Sequence, residues 1–241
     1  MSQMDNGWQE SANAWIANMG EQGDFGRRYV LDPIMLERST ARAPRTALDV
    51  GCGEGRFCRM LKQHGIQVTG VDPTHELIEA ARARDAGSEY LEKTAESLPF
   101  CDNTFDLVVS YLSLIDIPNI EAAIPEMARV LAPGGALLIA NLNSFNTACC
   151  DTGWIKDAAG RRIYYPLDNY LEERPMWVEF RGIRISNHHR PMSTYMRTLL
   201  DAGLRLSYFD EPSPSADADP ETVASYRRVP WFLVMEWIKP A

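Results

Sequence analysis

Apolar residues fall into two rhythms along this chain. Short runs of mostly apolar side chains recur near 46–50, 67–71, 88–92, 105–111 and 135–142, the pattern of strands buried on both faces. Between them, near 54–64, 74–86 and 119–131, apolar positions repeat at helical spacing. Strands alternating with helices predict a parallel sheet with right-handed crossovers. Two helical stretches precede the first strand. Gly7–Met19 sets Trp8, Ala12, Trp15, Ile16 and Met19 at helical spacing. Phe25–Leu36 carries Tyr29, Val30, Ile34 and Met35, and Pro33 near its middle predicts a kink or a restart.

After Asn143 the rhythm breaks. Residues 144–190 are aromatic and irregular, with strand-like pieces at Arg161–Tyr165 and Trp177–Ser186. A helix over Met192–Ala202 then stops at Gly203, and Leu204–Phe209 reads as a strand. Asp210–Asp219, rich in Pro, Ser and Asp, reads as a loop, and Val229–Ile238 as a last strand. Two terminal strands joined by a loop predict an antiparallel hairpin. The expected fold is therefore α/β: a doubly wound, mostly parallel seven-stranded sheet with an antiparallel last strand. It carries N-terminal helices (1–44), a core (45–143), a small cap insert between strands five and six (144–190) and a C-terminal helix and hairpin (191–241), all in one domain.

Composition narrows the function. The 241 residues are 45% apolar and 24% charged, close to globular averages, so a packed core is expected. A net charge of -9 and the lack of any Lys/Arg run weigh against a nucleic-acid partner. No apolar run approaches membrane-spanning length, so no membrane partner is expected. Cys52, Cys58, Cys101, Cys149 and Cys150 show no zinc-like spacing. They read as reduced thiols of a cytoplasmic protein, with no metal site.

The candidate chemistry begins at residues 46–57, where an apolar strand runs into Gly51, Gly53 and Gly55 and then a helix start. Alternating glycines let the backbone turn tightly and approach a ligand, and the N–H groups of a helix start can face it. The second strand ends in Asp72, placed to accept hydrogen bonds from ribose hydroxyls. A dinucleotide fingerprint would need a small residue where Arg56 stands.

At this point the chain resembles the class I S-adenosylmethionine (AdoMet) dependent methyltransferases. Leu48-Asp-Val-Gly-Cys-Gly-Glu-Gly55 resembles their first motif and Gly70-Val-Asp-Pro73 their second. Ala95-Glu-Ser-Leu-Pro-Phe100 with Asp102 and Phe105-Asp106, and Glu126-Met-Ala-Arg-Val-Leu-Ala-Pro-Gly-Gly135, resemble stretches of the small-molecule branch that includes the ubiquinone and menaquinone methyltransferases. The reversed last strand is also a mark of that family's fold. The resemblance implies AdoMet as methyl donor, S-adenosylhomocysteine (AdoHcy) as product and a small-molecule acceptor. It implies that Asp49, Gly51, Cys52, Gly53, Asp72, Pro73, Thr94, Ala95, Glu96 and Ser110 line the cofactor. Asp49 would orient its amino-acid end. Thr94 departs from the acidic residue the family often uses at the adenine, where backbone N–H of Ala95 or Glu96 could serve instead.

For the acceptor side, His188 and His189 close the insert, and an imidazole can take a proton near neutrality. His189 is the preferred candidate base, with Tyr111 a second polar contact; a partly buried aromatic is the plainer role for Tyr111. Tyr164, Tyr165, Tyr170, Trp177 and Phe180 read either as pocket lining or as the small core of the insert. Arg27 and Arg28 read as a surface pair that could also reach the AdoMet carboxylate. The competing readings are an NAD(P)-dependent oxidoreductase, a non-catalytic AdoMet-binding regulator, and an RNA or protein methyltransferase.

Overall fold

The computed structural model describes residues 6–149 and 153–241; Cys150 lies outside them. In chain order, α1 (Trp8–Met19), a π-helical turn (Arg27–Leu31) and α2 (Asp32–Thr40) lead to β1 (Thr46–Val50). There follow α3 (Arg56–Gln63), β2 (Gln67–Asp72), α4 (His75–Arg84), β3 (Glu89–Glu92), β4 (Phe105–Tyr111), α5 (Ile120–Val130) and β5 (Leu131–Leu142). The insert holds α6 (Ser144–Ala148), β6 (Ile155–Lys156), β7 (Arg162–Tyr164), β8 (Arg174–Phe180) and β9 (Ile183–His189). The chain ends with α7 (Met192–Asp201), β10 (Arg205–Asp210), α8 (Pro220–Tyr226) and β11 (Phe232–Ile238).

The central sheet has seven strands in the order β10-β11-β5-β4-β1-β2-β3. β1, β2, β3, β4 and β5 pair in parallel, and β11 runs antiparallel between β5 and β10, as expected. Alternation along β1 sends its residues to two cores. Leu48 and Val50 join Ile124 and Met127 of α5 and Leu199 of α7. Ala47 joins Met35 of α2, Phe57 and Leu61 of α3 and Ile78 of α4. Helices thus cover both faces, and the strand order reverses between β1 and β4. In such sheets the crevice at that reversal, outside the carboxyl ends of the strands, is where ligands bind.

Several boundaries differ from expectation for local reasons. Pro33 falls in the first turn of α2, which restarts after the π-helical turn, because a ring without an N–H is tolerated there. The stretch 177–186 is not one strand. Arg181 (φ 50°) and Gly182 (φ 78°) both take the left-handed region, which makes the tight turn of a hairpin between β8 and β9. Helices α6 and α8 are additions; the Asn143 side chain caps α6, and Asp219-Pro220 starts α8 with an acceptor to the Thr222 N–H.

Helix α1 lies against the β8–β9 hairpin. The Ser11 hydroxyl donates to the Arg184 carbonyl at 3.0 Å and accepts from the Arg184 N–H at 2.9 Å. The Ser186 N–H donates to the Asn6 carbonyl at 2.9 Å. The N-terminal helix and the insert are therefore clasped together at one end of the sheet.

Candidate cofactor site

The loop from β1 to α3 carries Gly51, Gly53 and Gly55 at φ 77°, 55° and 77°, a region costly for any other residue. What the missing side chains make room for differs among the three. A Cβ on Gly51 would lie 2.3 Å from Ser113 Cβ, and one on Gly55 would lie 2.7 Å from the Tyr90 hydroxyl. Those two glycines admit protein side chains. Gly53 borders open space, with Trp15 Nε1 as its nearest neighbour at 4.0 Å.

The loop donors are also engaged within the protein. The Gly51 and Cys52 N–H groups donate to the Val71 carbonyl at 2.8 and 3.0 Å. The Gly53 N–H donates to Asp72 Oδ2 at 2.9 Å, and the Thr74 N–H to Asp72 Oδ1 at 2.9 Å. Asp72 is thus a brace between the tip of β2 and the loop, which sequence reasoning did not foresee. Burial raises its pKa above the usual carboxylate value, and these two N–H groups oppose the rise. The Thr74 side chain opposes it as well, and the carboxylate keeps lone pairs beyond those these donors take.

Asp49 lies behind the loop at the end of β1. Its Oδ2 accepts from the Cys58 thiol at 3.4 Å, while its buried Oδ1 has no partner. Burial pushes its pKa up to about 7; the Cys58 hydrogen bond opposes this and the Asp72 charge adds to it. An unpartnered buried carboxylate oxygen costs about 1–3 kcal/mol. It fits a cationic group brought by a ligand, such as an ammonium. The Cys52 side chain packs into the core beside Tyr90 and Phe57, its thiol pushed by burial to about 11, so it serves packing. Pro73 and Glu96 are half-buried, Ala95 is buried and Thr94 is exposed.

Ser110 is fully enclosed. Its hydroxyl meets Ser113 Oγ at 2.7 Å, and Ser113 donates to the Val50 carbonyl at 2.6 Å. With that proton taken, Ser110 donates to Ser113. The expected cofactor contact is replaced by a latch that fastens the β4 loop behind Gly51.

The N-terminal segment roofs the crevice. The Arg27 guanidinium sits 4.9 Å from the Trp15 ring centroid and 5.8 Å from that of Tyr111, and pairs with Asp24 at 2.9 Å. Arg28 is exposed on Tyr29, so the two arginines are not a surface pair. Arg56 ties the roof down. It pairs with Asp32 and donates to the carbonyls of Gln22 (2.8 Å) and Glu21 (3.2 Å).

Residues 48–139 match the family described as Methyltransferase domain. A malonyl-[acyl-carrier protein] O-methyltransferase of Salmonella typhimurium is 29% identical over 174 residues, 70% of this chain and 65% of that protein. This chain spans less than two thirds of the length of the curated relatives it matches. An S-adenosylmethionine-dependent methyltransferase structure from Mesorhizobium loti is 27% identical, with a TM-score of 0.74 over 91% of this chain and 100% of that one. A structure from Listeria monocytogenes, 23% identical, has the same fold (TM-score 0.74) over 97% of this chain and 99% of that one. Residues 48–139 thus match a methyltransferase domain, and the whole chain is similar to an S-adenosylmethionine-dependent methyltransferase structure. The Asp49 oxygen left without a partner and the open space at Gly53 leave room for a ligand at this loop.

The two residues expected to act on the acceptor are engaged elsewhere. The Tyr111 hydroxyl donates to Asp32 Oδ1 at 2.8 Å, its ring packs edge-on against Phe57, and burial holds its pKa well above the usual value. It supports the Arg56–Asp32 anchor. His189 is fully buried, with Nδ1 2.6 Å from the Thr147 hydroxyl and Nε2 2.9 Å from the Tyr170 carbonyl. Nε2 must donate to that carbonyl. Burial lowers its pKa, so the ring is neutral at pH 7 and Nδ1 accepts from Thr147. In this arrangement His189 locks β9 to α6 and offers no free lone pair for a base. Of the insert aromatics, Tyr164, Trp177 and Phe180 are exposed and Tyr170 packs on His189 and Phe145, so they do not form a single pocket lining.

Sequence reasoning passed over Asp116. It sits in the turn after β4, partly accessible, with Asn187 Nδ2 donating to its Oδ1. Burial pushes its pKa up to about 8. The one available signal was its place in Ser110–Asp116, directly after the fourth strand.

Proposed function

We propose that the chain transfers the methyl group of AdoMet to a small-molecule acceptor beneath the insert, residues 144–190, in the cytoplasm. The observation that carries this is the buried, unpartnered Oδ1 of Asp49 beside the glycine loop. When bound, AdoMet supplies a methyl group activated by its sulfonium. Asp49 would meet the ammonium of its amino-acid end, and the second lone pairs of Asp72 the ribose hydroxyls. Ala95 and Glu96 would serve the adenine through their backbone. Trp8, Trp15, Arg27 and the β8–β9 hairpin would help to exclude water from the bound donor. An in-line displacement mainly needs alignment and dryness, so no dedicated base is required of His189 or Tyr111. The curated relatives named for malonyl-[acyl-carrier protein] O-methylation support a carboxylate or acyl acceptor.

The test is transfer of label from [methyl-³H]AdoMet to a panel of low-mass carboxylates, alcohols and amines, with a malonyl-loaded carrier protein alongside. Label in one class supports the reading. The competing reading, AdoMet binding without turnover, draws on the engagement of His189 and Tyr111. Tight AdoHcy binding with no label transferred across the panel would select it.

A further inference from the structure

The two edges of the seven-stranded sheet are protected differently. At one edge, β3 carries Glu89 and Glu92 at its ends, and Arg82 donates to the Tyr90 carbonyl at 2.7 Å. Two copies of β3 laid antiparallel would set Glu89 against Glu92, so this edge repels itself. At the other edge, β10 reads Arg205-Leu-Ser-Tyr-Phe-Asp210 and pairs with β11 alone. Among the described residues, no backbone group of any further segment bonds to it. Leu206 and Phe209 are 41% and 44% exposed. Arg205 is exposed and has no carboxylate partner among the described residues.

A β-bulge at Ser207 sorts these side chains between the two faces of the sheet. Leu206 opposes Trp237 and Phe209 opposes Met235, which pack in the core with residues of α5 and α7, so both project to the α7 face. Ser207 is the extra residue between the Leu206–Trp237 and Tyr208–Glu236 pairs. Its hydroxyl donates to Glu236 Oε1 at 2.8 Å, and the Arg38 guanidinium of α2 lies 4.3 Å from the Tyr208 ring centroid. Ser207 and Tyr208 therefore share the α2 face. Arg205 and Asp210, one step beyond Leu206 and Phe209, lie on it too. Now lay the strand antiparallel on a second copy, about a two-fold axis between Ser207 and Tyr208. Leu206 then meets Phe209 on one face, and Arg205 meets Asp210 on the other. Sliding the pairing by one or two residues either way sets side chains of opposite faces against each other. The bulge thus selects the one register in which the charges are complementary.

We propose that β10 is a docking edge for a second copy of this chain, joining two sheets into one across a two-fold axis. Each charged pair and each apolar pair is made twice, as a self-complementary contact requires. A six-residue edge is a small interface, so the dimer is weak and depends on concentration.

Sedimentation velocity from about 1 μM to about 1 mM tests this on the wild type, on Arg205→Asp, on Asp210→Arg and on an equimolar mixture of the two variants. The wild type should move from 27.1 kDa toward twice that mass as concentration rises. Either variant alone sets like charges opposite each other in both charged pairs, so its dissociation constant should rise about tenfold or more. The mixture should recover wild-type association, because each variant brings the charge the other lacks. Asp210 also accepts from the Tyr208 hydroxyl at 3.0 Å and the Glu211 N–H at 2.8 Å. Should Asp210→Arg fold poorly for that reason, Phe209→Lys is the second variant, and it should weaken the dimer as Arg205→Asp does. A wild type that stays monomeric throughout would overturn the proposal and leave the edge to a strand of another protein. A dimer indifferent to Arg205→Asp and Phe209→Lys would overturn it too, as would a mixture of well-folded variants that does not associate.

Discussion

Arg56 occupies the position where a dinucleotide-binding loop needs a small residue, and its replacement is the sharpest mechanical test of the site. Arg56→Met keeps the bulk and removes the charge. In the wild type both partners of the Arg56–Asp32 pair are about nine-tenths buried, at 11% and 10% exposure. Removing one partner of a buried pair costs about 3–5 kcal/mol, because the other charge is left uncompensated. Asp32 keeps the Tyr111 hydroxyl, which puts the expected loss at the lower end, about 3 kcal/mol. At roughly 2–4 °C per kcal/mol for a chain of this size, Tm should fall by about 6–12 °C. Asp32→Leu in the same background should recover much of the loss, since paired apolar replacements of buried ion pairs are often neutral. The carbonyls of Glu21 and Gln22 also lose their donor, so the roof should loosen and AdoHcy affinity should fall with stability. Thermal melts of the four proteins of this double-mutant cycle read the coupling directly. A Tm loss under 2 °C for Arg56→Met, or a coupling near zero, would refute the claim that this pair anchors the roof.

Asp72→Ala should weaken AdoHcy binding by about 1–3 kcal/mol and also lower Tm, because it orphans the Gly53 and Thr74 N–H groups; calorimetry and melting check the two effects separately. Asp49 titrates near 7 when folded against 3.8 unfolded, so its burial cost is absent below about pH 4 and complete above about pH 7. Asp49→Asn should therefore stabilise the unliganded protein at pH 8, on the order of a few kcal/mol, with the gain vanishing toward pH 4 in urea titrations. The same variant should bind AdoHcy more weakly. His189→Gln should lower stability by about 1–3 kcal/mol and leave AdoHcy affinity within about threefold, as a buried lock would; a large loss of turnover per folded molecule with unchanged Tm would restore it as a base.

Most of the fold was legible because its signals are local and repeated. Each core strand is an apolar run and each core helix an amphipathic one, so the parallel sheet and its reversed strand followed from periodicity. The tight glycine loop was legible because Gly51, Gly53 and Gly55 stand at fixed spacing after an apolar strand. What the side chains do there was not. Gly51 yields to Ser113 and Gly55 to Tyr90, contacts between distant segments that no spacing reveals. His189 looked like a base because it closes the insert, but Thr147 and the Tyr170 carbonyl, 42 and 19 residues away, take up its nitrogens. Asp116 was overlooked because its environment is assembled from β9, α1 and the N-terminal turn. The hairpin turn at Arg181-Gly182 was hidden by the aromatic run around it, since only Gly182 is a turn residue by type.

The central claim is that the crevice at the β1–β4 reversal takes AdoMet through Asp49 and Asp72. Side-by-side calorimetric titration of the wild type with AdoHcy and with NADH tests it most directly. One-to-one binding of AdoHcy, weakened by Asp49→Asn, and no heat from NADH are the expected results. Binding of NADH, or AdoHcy affinity indifferent to both Asp49→Asn and Asp72→Ala, would contradict it.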